Sequence, residues 1–418
     1  MTRTDHRYAR RGNASRSNAA RSAAWRVFGM EMRKIWRPLP VLAALIVLLV
    51  GSFFIVNFTY LNNGGADVVA ESAEFGPVYD ARARERIRSE IDKAKQAFAA
   101  DMAADPQARE QGVTDYDTYQ AWSERMTAGK DAPAIDAYRL ASYQRINALE
   151  LIQSQADIGA DELRARLLDQ ACYTLHEAWD GYPCGALPAT VSARIDALTA
   201  QYDSRSMLQY NVNLTLQDSG KWMLMTATLC AMILTSFPLT RDRQLHVTAL
   251  QWSSRTGRRI RSLQMCAIGC SAALAGLFVG GLWAVWLGVR MRPILGFGID
   301  SALYRDIAWF DGTVLQWLAA YALTAGLAAA AFALLSAGIV GAQSNGIRML
   351  LIVIPIAVAS ACCVNFVIGK YLYYLGNPLN RVLAVPGVEA IALTAMLMLA
   401  VGLWLFIVRR LRRRELTD

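Results

Sequence analysis

Histidine is scarce in this chain: His6, His176 and His246 are the three copies among 418 residues. They fall in separate segments, so no two share the close spacing that metal ligands on one element require. His176-Glu177-Ala178-Trp179-Asp180 has aspartate where the H-E-x-x-H zinc motif needs its second histidine. Lysine is nearly as rare, and none of Lys34, Lys93, Lys95, Lys130, Lys221 and Lys370 has serine three places before it, which excludes an S-x-x-K acyl-enzyme pattern. Neither G-x-S-x-G nor the phosphate loop G-x-x-x-x-G-K-[ST] occurs. These absences predict a chain with no catalytic site, no metal site and no directly bound cofactor.

Charge is missing from six long stretches. Pro40–Phe58, Trp222–Leu239, Leu263–Gly288, Val314–Val340, Met349–Ile368 and Val388–Val408 hold no Lys, Arg or Asp, and Glu389, at the start of the last, is their one charged residue. Each is near or above the roughly twenty apolar residues that carry a helix across a hydrocarbon core ~30 Å thick. A charge at mid-bilayer costs several kcal/mol, so such clean runs fit lipid as their solvent. The fold expected is all-α: a polytopic membrane protein with six transmembrane helices and a large helical extracytoplasmic domain between helices 1 and 2. No Asp, Glu, His or Lys sits in mid-span, so ion-coupled transport and intramembrane proteolysis lack their working groups.

Basic residues set the expected orientation. Ten Lys/Arg precede the first run, six lie between the second and third, and five follow the last, whereas the short loops facing the other way hold three and two. Short cytoplasmic segments retain positive charge, so both termini and the loop between spans two and three belong in the cytoplasm. Between Leu61 and Gly220, by contrast, twenty-five acidic residues face fifteen basic ones. The net charge of +9 therefore belongs to the membrane flanks, not to a nucleic-acid face on one soluble domain. The excess of arginine over lysine fits a GC-rich bacterial genome, and the expected location is a bacterial cytoplasmic membrane.

These readings divide the chain into five parts. Residues 1–24 form a basic cytoplasmic tail of disordered composition. Residues 25–37 form an amphipathic interfacial helix, with Trp25, Phe28, Met32, Ile35 and Trp36 opposite Arg26, Arg33, Lys34 and Arg37. Residues 38–60 make transmembrane helix 1, a retained anchor that starts too far into the chain and runs too long for a cleavable signal. Residues 61–219 form the outer domain, rich in Ala, Glu, Arg, Gln and Leu, with Gly/Pro breaks that divide it into four or five helices. Residues 220–418 carry helices 2–6, a cytoplasmic loop at 241–262 and a basic C-terminal tail. Cys172 and Cys184 are the cysteine pair outside the spans, where an oxidising exterior favours a disulfide, two free thiols being the alternative. Gly276 and Gly280 form a G-x-x-x-G step suited to close helix packing.

The loop after span two carries the one functional motif. It reads Arg241-Asp242-Arg243-Gln244-Leu245-His246-Val247-Thr248-Ala249-Leu250-Gln251-Trp252-Ser253-Ser254-Arg255-Thr256-Gly257-Arg258. The positive-inside rule accounts for its arginines but not for Leu245, Leu250 and Trp252, an apolar face on a cytoplasmic loop that fits a protein partner. The pattern resembles the membrane (permease) subunit of a type-2 ATP-binding-cassette exporter. In that family an acidic residue, an amphipathic turn ending in leucine, a small or serine pair and a Gly-Arg step form a helix that docks on the ATPase. The matching positions are Asp242, Leu250, Ser253, Ser254, Gly257 and Arg258, while Gln264 stands where relatives often carry lysine.

The resemblance implies a cytoplasmic ATPase partner that uses ATP and Mg, and a second permease copy or paralogue. The substrate class it implies is hydrophobic or peptide-like. A membrane receptor or sensor, with a ligand-binding outer domain and loops that recruit a signalling partner, is the alternative the residues leave open.

The expected topology can be checked by cysteine labelling of intact cells with a membrane-impermeant reagent. Labels in the N-terminal tail, at position 256 and in the C-terminal tail should be shielded, while labels at 130 and 301 should react. Reaction at 256 would reverse the orientation.

Overall fold

The computed structural model describes residues 24–127, 135–176, 186–245, 257–301, 303, 307, 309–340, 345–368 and 387–414. Its described residues are helical almost throughout, with isolated bridges and no extended strand. In chain order the helices are α1 (residues 24–35), α2 (Pro38–Phe54), α3 (Gly65–Glu74), α4 (Ala81–Ala104), α5 (Pro106–Glu110), α6 (Tyr116–Thr127) and α7 (Ala141–Ala156). They continue as α8 (Ala160–His176), α9 (Ala189–Ala200), α10 (Tyr210–Gln244), α11 (Gly257–Arg290), α12 (Val314–Val340), α13 (Gly346–Cys363) and α14 (Val388–Arg414).

Among the described residues, five helical segments are long and apolar enough to cross a membrane: Pro38–Leu61, Tyr210–Leu239, Ile260–Arg290, Val314–Val340 and Val388–Ile407. They mark a membrane-embedded, multi-pass protein. The sixth expected run falls on α13, a shorter apolar helix that continues as a π-turn over Val364–Ile368. Another π-turn, Ile55–Leu61, extends α2, and within it the Thr59 hydroxyl bonds back to the Ile55 carbonyl and lies 2.9 Å from Ser219 Oγ.

The chain divides into two compact units: residues 1–65, 214–292 and 315–418 form the first, and residues 66–213 and 293–314 the second. In the first, α10 and α12 are mostly buried while α2 and α14 expose most of their surface. Side chains of one or no carbon permit the close contacts. Ala231, Ala272, Ala329 and Ala333 form a common buried cluster. A Cβ at Gly276 would lie 2.5 Å from the Ala325 carbonyl oxygen, and one at Gly280 would lie 3.0 Å from Ala322 Cα, so α11 and α12 approach backbone to backbone there.

The residues that precede α2 show why α1 ends where it does. Arg37 is extended (φ −76°, ψ 156°) because Pro38 follows it, and Pro38 starts the new helix without needing a backbone donor. The stripe expected on one face of α1 is split. Ile35 is buried with Leu234, Leu239, Met265 and Ile268, and Phe28 and Met32 pack against them, whereas Trp25 is 71% exposed.

The second unit is a helical assembly around α4 and α7. Asp80 caps α4 by accepting from Ala83 N at 2.7 Å, and Ala83, Ile87, Ile91, Ala94, Phe98 and Met102 recur along one buried face. Phe98 sits edge-on to Tyr116 and Tyr119, with centroids 5.8 and 5.5 Å away. Residues 293–314, which lie between the third and fourth apolar runs, belong to this unit. The Ser301 hydroxyl donates to the Leu208 carbonyl at 2.6 Å, Ser206 Oγ donates to the Gly298 carbonyl at 2.6 Å, and Arg194 forms an ion pair with Asp311. Asp300 is mostly buried, 3.5 Å from Arg205, and that burial pushes its carboxyl up, against the pull of Arg205 and Arg194. Ser301 is consequently inaccessible to solvent, so a label there cannot report topology; exposed Arg88 offers a site in its place.

The α11–α12 contact makes a measurable claim. Gly276→Val forces a side chain into the Ala325 backbone and should lower stability by about 2 kcal/mol, the usual range for overpacking. Gly281→Ala meets nothing within 4 Å and should leave the melting temperature in detergent unchanged. Equal melting curves for both variants would show that the helices do not approach at Gly276.

Candidate functional site

Three segments far apart in sequence converge where α10 ends and α11 begins. Helix α1 supplies Glu31 and Lys34, α10 supplies Asp242 in its last turn, and α11 supplies Arg261 and Gln264 in its second and third turns. Lys34 Nζ donates to Glu31 Oε1 at 2.8 Å and to Asp242 Oδ2 at 3.0 Å. Gln264 Nε2 lies 3.4 Å from both Glu31 Oε2 and Asp242 Oδ2, and its carbonyl oxygen accepts from Arg261 Nη1 at 3.0 Å. Glu31, Asp242 and Gln264 are all buried, and the side chain of Lys34 is mostly so.

Local sequence explains each placement. On α1, Glu31 and Lys34 are three residues apart and share a face, while Ile35 anchors the next turn in the apolar cluster. The helix is further held by Trp36 Nε1, which donates to Ser271 Oγ at 3.3 Å. Burial by itself would lower the pKa of Lys34, but its hydrogen bonds to Glu31 and Asp242 and their charges outweigh that and hold it above the usual lysine value. Lys34 therefore stays cationic, and it is the counter-ion that allows two carboxylates to lie together away from water.

Gln264 has a part that a lysine could not fill. An amide both donates and accepts, whereas an ammonium only donates. It can therefore face two carboxylates with its nitrogen while receiving the Arg261 guanidinium with its oxygen.

Of the residues expected to couple to a partner, Asp242 joins this network. Leu245 follows the end of α10 and is 60% exposed. Gly257 and Arg258 open α11. Leu250, Trp252, Ser253 and Ser254 lie outside the described residues. Sequence reading did not single out Glu31, Lys34 or Arg261. The available signal was Glu31, the lone acid among Arg26, Arg33, Lys34 and Arg37 ahead of the first apolar run.

Elsewhere, Cys172 is disulfide-bonded, while Cys184 lies outside the described residues. Cys230, Cys266, Cys270, Cys362 and Cys363 are free thiols. The second unit holds a cavity of about 550 Å³ whose walls include Leu151, Ile158, Leu163, Arg166 and Gln209. Comparisons with protein-family models, with curated proteins and with solved structures found no match for this chain.

The network and a surface pair of the same spacing allow a controlled test. Lys93 Nζ lies 2.7 Å from Glu90 Oε1, also three residues away, but its side chain is 67% exposed against 23% for Lys34. Lys34→Met, which strands two carboxylates, should cost about 2 kcal/mol, whereas Lys93→Met should produce no measurable change in thermal unfolding. Equal effects of the two substitutions would mean that the buried network is not held by charge.

Proposed function

We propose that this chain is the permease subunit of an ATP-binding-cassette exporter of the type-2 class, with six membrane spans, both termini in the cytoplasm and the 61–219 segment outside. The observation that carries the reading is the union of Glu31, Lys34, Asp242 and Gln264. It ties the helix ahead of the first span to both ends of the 246–256 loop. A force on that loop thus reaches α1, α10 and α11 together and is not absorbed by a slack connection.

In this reading a separate cytoplasmic ATPase binds ATP and Mg, and its closure pushes the loop through contacts with Leu250 and Trp252. The three joined helices then tilt as one body, and a cavity formed with a second permease copy or paralogue alternates its access. The exposed faces of α2 and α14 give lipid and the second copy apolar surface to cover. The substrate would be hydrophobic or peptide-like, since the spans present few charged side chains to a charged cargo. A pairing of Cys172 with Cys184 would close a short loop in the outer domain and belongs to the same reading.

The experiment is a detergent pull-down of candidate ATPases, followed by ATPase assays in lipid. Leu250→Ala with Trp252→Ala touches no span, so the protein should still reach the membrane. Docking should weaken by about 2 kcal/mol or more, roughly thirtyfold, and substrate-stimulated hydrolysis should disappear. Undiminished capture by the double variant would sink the docking assignment.

A further inference from the structure

We propose that the cavity beside Lys34 is a binding site for one anionic glycerophospholipid of the cytoplasmic leaflet. The cavity holds about 820 Å³ and lies in the first compact unit, between the start of α2, the end of α10 and the start of α13. Its cations are Lys34, Arg37 and Arg241, and Asp242 is the acid in its wall. Lys34 is already shared between Glu31 and Asp242. Arg37 and Arg241 are exposed and have no carboxylate partner among the described residues. Counting Lys34, Arg37 and Arg241 against Glu31 and Asp242, the rim keeps an excess of one positive charge, presented by Arg37 and Arg241. The α13 N-terminus adds the positive end of a helix dipole, and one of its first N–H groups is taken by the Asn345 cap.

Apart from Gln244 and Asn345 the rest of the wall is apolar, and Leu39 and Ile347 are more than two-thirds exposed. A soluble anion would gain the charges but leave those side chains in water. A second protein surface would have to bring both a buried anion and a greasy flank. An anionic phospholipid has both in one molecule. Its phosphate would sit between Arg37 and Arg241, and an acyl chain would lie on Leu39, Phe237 and Ile347. Position agrees with chemistry: the cavity opens where one apolar span and the shorter apolar helix α13 start and another span ends, the level at which headgroups meet acyl chains. The inference rests on embedding in a membrane with the orientation proposed above, and not on the exporter reading.

The test is native mass spectrometry of delipidated full-length protein titrated with phosphatidylglycerol or phosphatidylcholine, with a photoactivatable phosphatidylglycerol to locate the site. The expected result is preferential retention of one phosphatidylglycerol and crosslinks to peptides containing Arg37 and Arg241. Arg37→Gln with Arg241→Gln should weaken retention about thirtyfold, as expected for removing two cations from a headgroup. Arg88→Gln with Arg109→Gln, which deletes two exposed charges elsewhere, should leave it unchanged. Equal retention of both lipids, or crosslinks confined to other segments, would overturn the proposal. So would displacement by millimolar inorganic phosphate, which would make this a free-anion site. The crosslink map in the wild-type protein decides the matter even if the double variant misfolds.

Discussion

One ammonium between two buried carboxylates organises the end of the bundle at which α1, α10 and α11 meet. Without Lys34, Glu31 and Asp242 would repel each other in a place that water reaches poorly, and the three helices would have reason to part. With it, one of the two negative charges is offset, and Gln264 links the carboxylates to the Arg261 guanidinium. Such a joint is specific because its partners cannot slide. A purely apolar contact tolerates a shift of a residue or two, whereas these atoms must stay within hydrogen-bond range.

The same bundle relies on the absence of side chains farther along. Lipid does not drive apolar helices together as water does, so packing between spans depends on close backbone approach. Gly276 and Gly280 on α11 meet Ala322, Ala325 and Ala329 on α12, while larger residues such as Phe278 and Leu282 on α11 remain exposed. One helix therefore offers a smooth face to its neighbour and a bulky one to its surroundings.

The second compact unit follows a different rule, that of helices gathered round an aromatic core. Its inclusion of residues 293–314 is a matter of polar satisfaction as much as burial. The Ser206 and Ser301 hydroxyls, the Arg205–Asp300 contact and the Arg194–Asp311 pair use side chains to settle backbone and charge demands that a free loop would leave to solvent.

Composition and periodicity were enough to read an all-helical, membrane-embedded chain from the sequence. Hydrocarbon selects long uncharged runs with internal backbone bonding, a demand that acts on each run separately and is written locally. The boundary between α1 and α2 was legible at 37/38, and the composition of 61–219 was enough to expect helices there. The helix ahead of the first span could also be seen, and Asp242 stood out in the sequence for a different part, that of a coupling residue. What Asp242 meets could not, because Glu31, Lys34 and Gln264 lie 211, 208 and 22 positions from it and no local pattern links them. The folding of 293–314 into the second unit was hidden for the same reason, its partners being at Arg194 and Arg205–Leu208. Sequence by itself determined which segments are helical and which of them suit lipid. Tertiary structure alone decided which charges neutralise one another, since ion pairs and shared hydrogen bonds depend on distance in space.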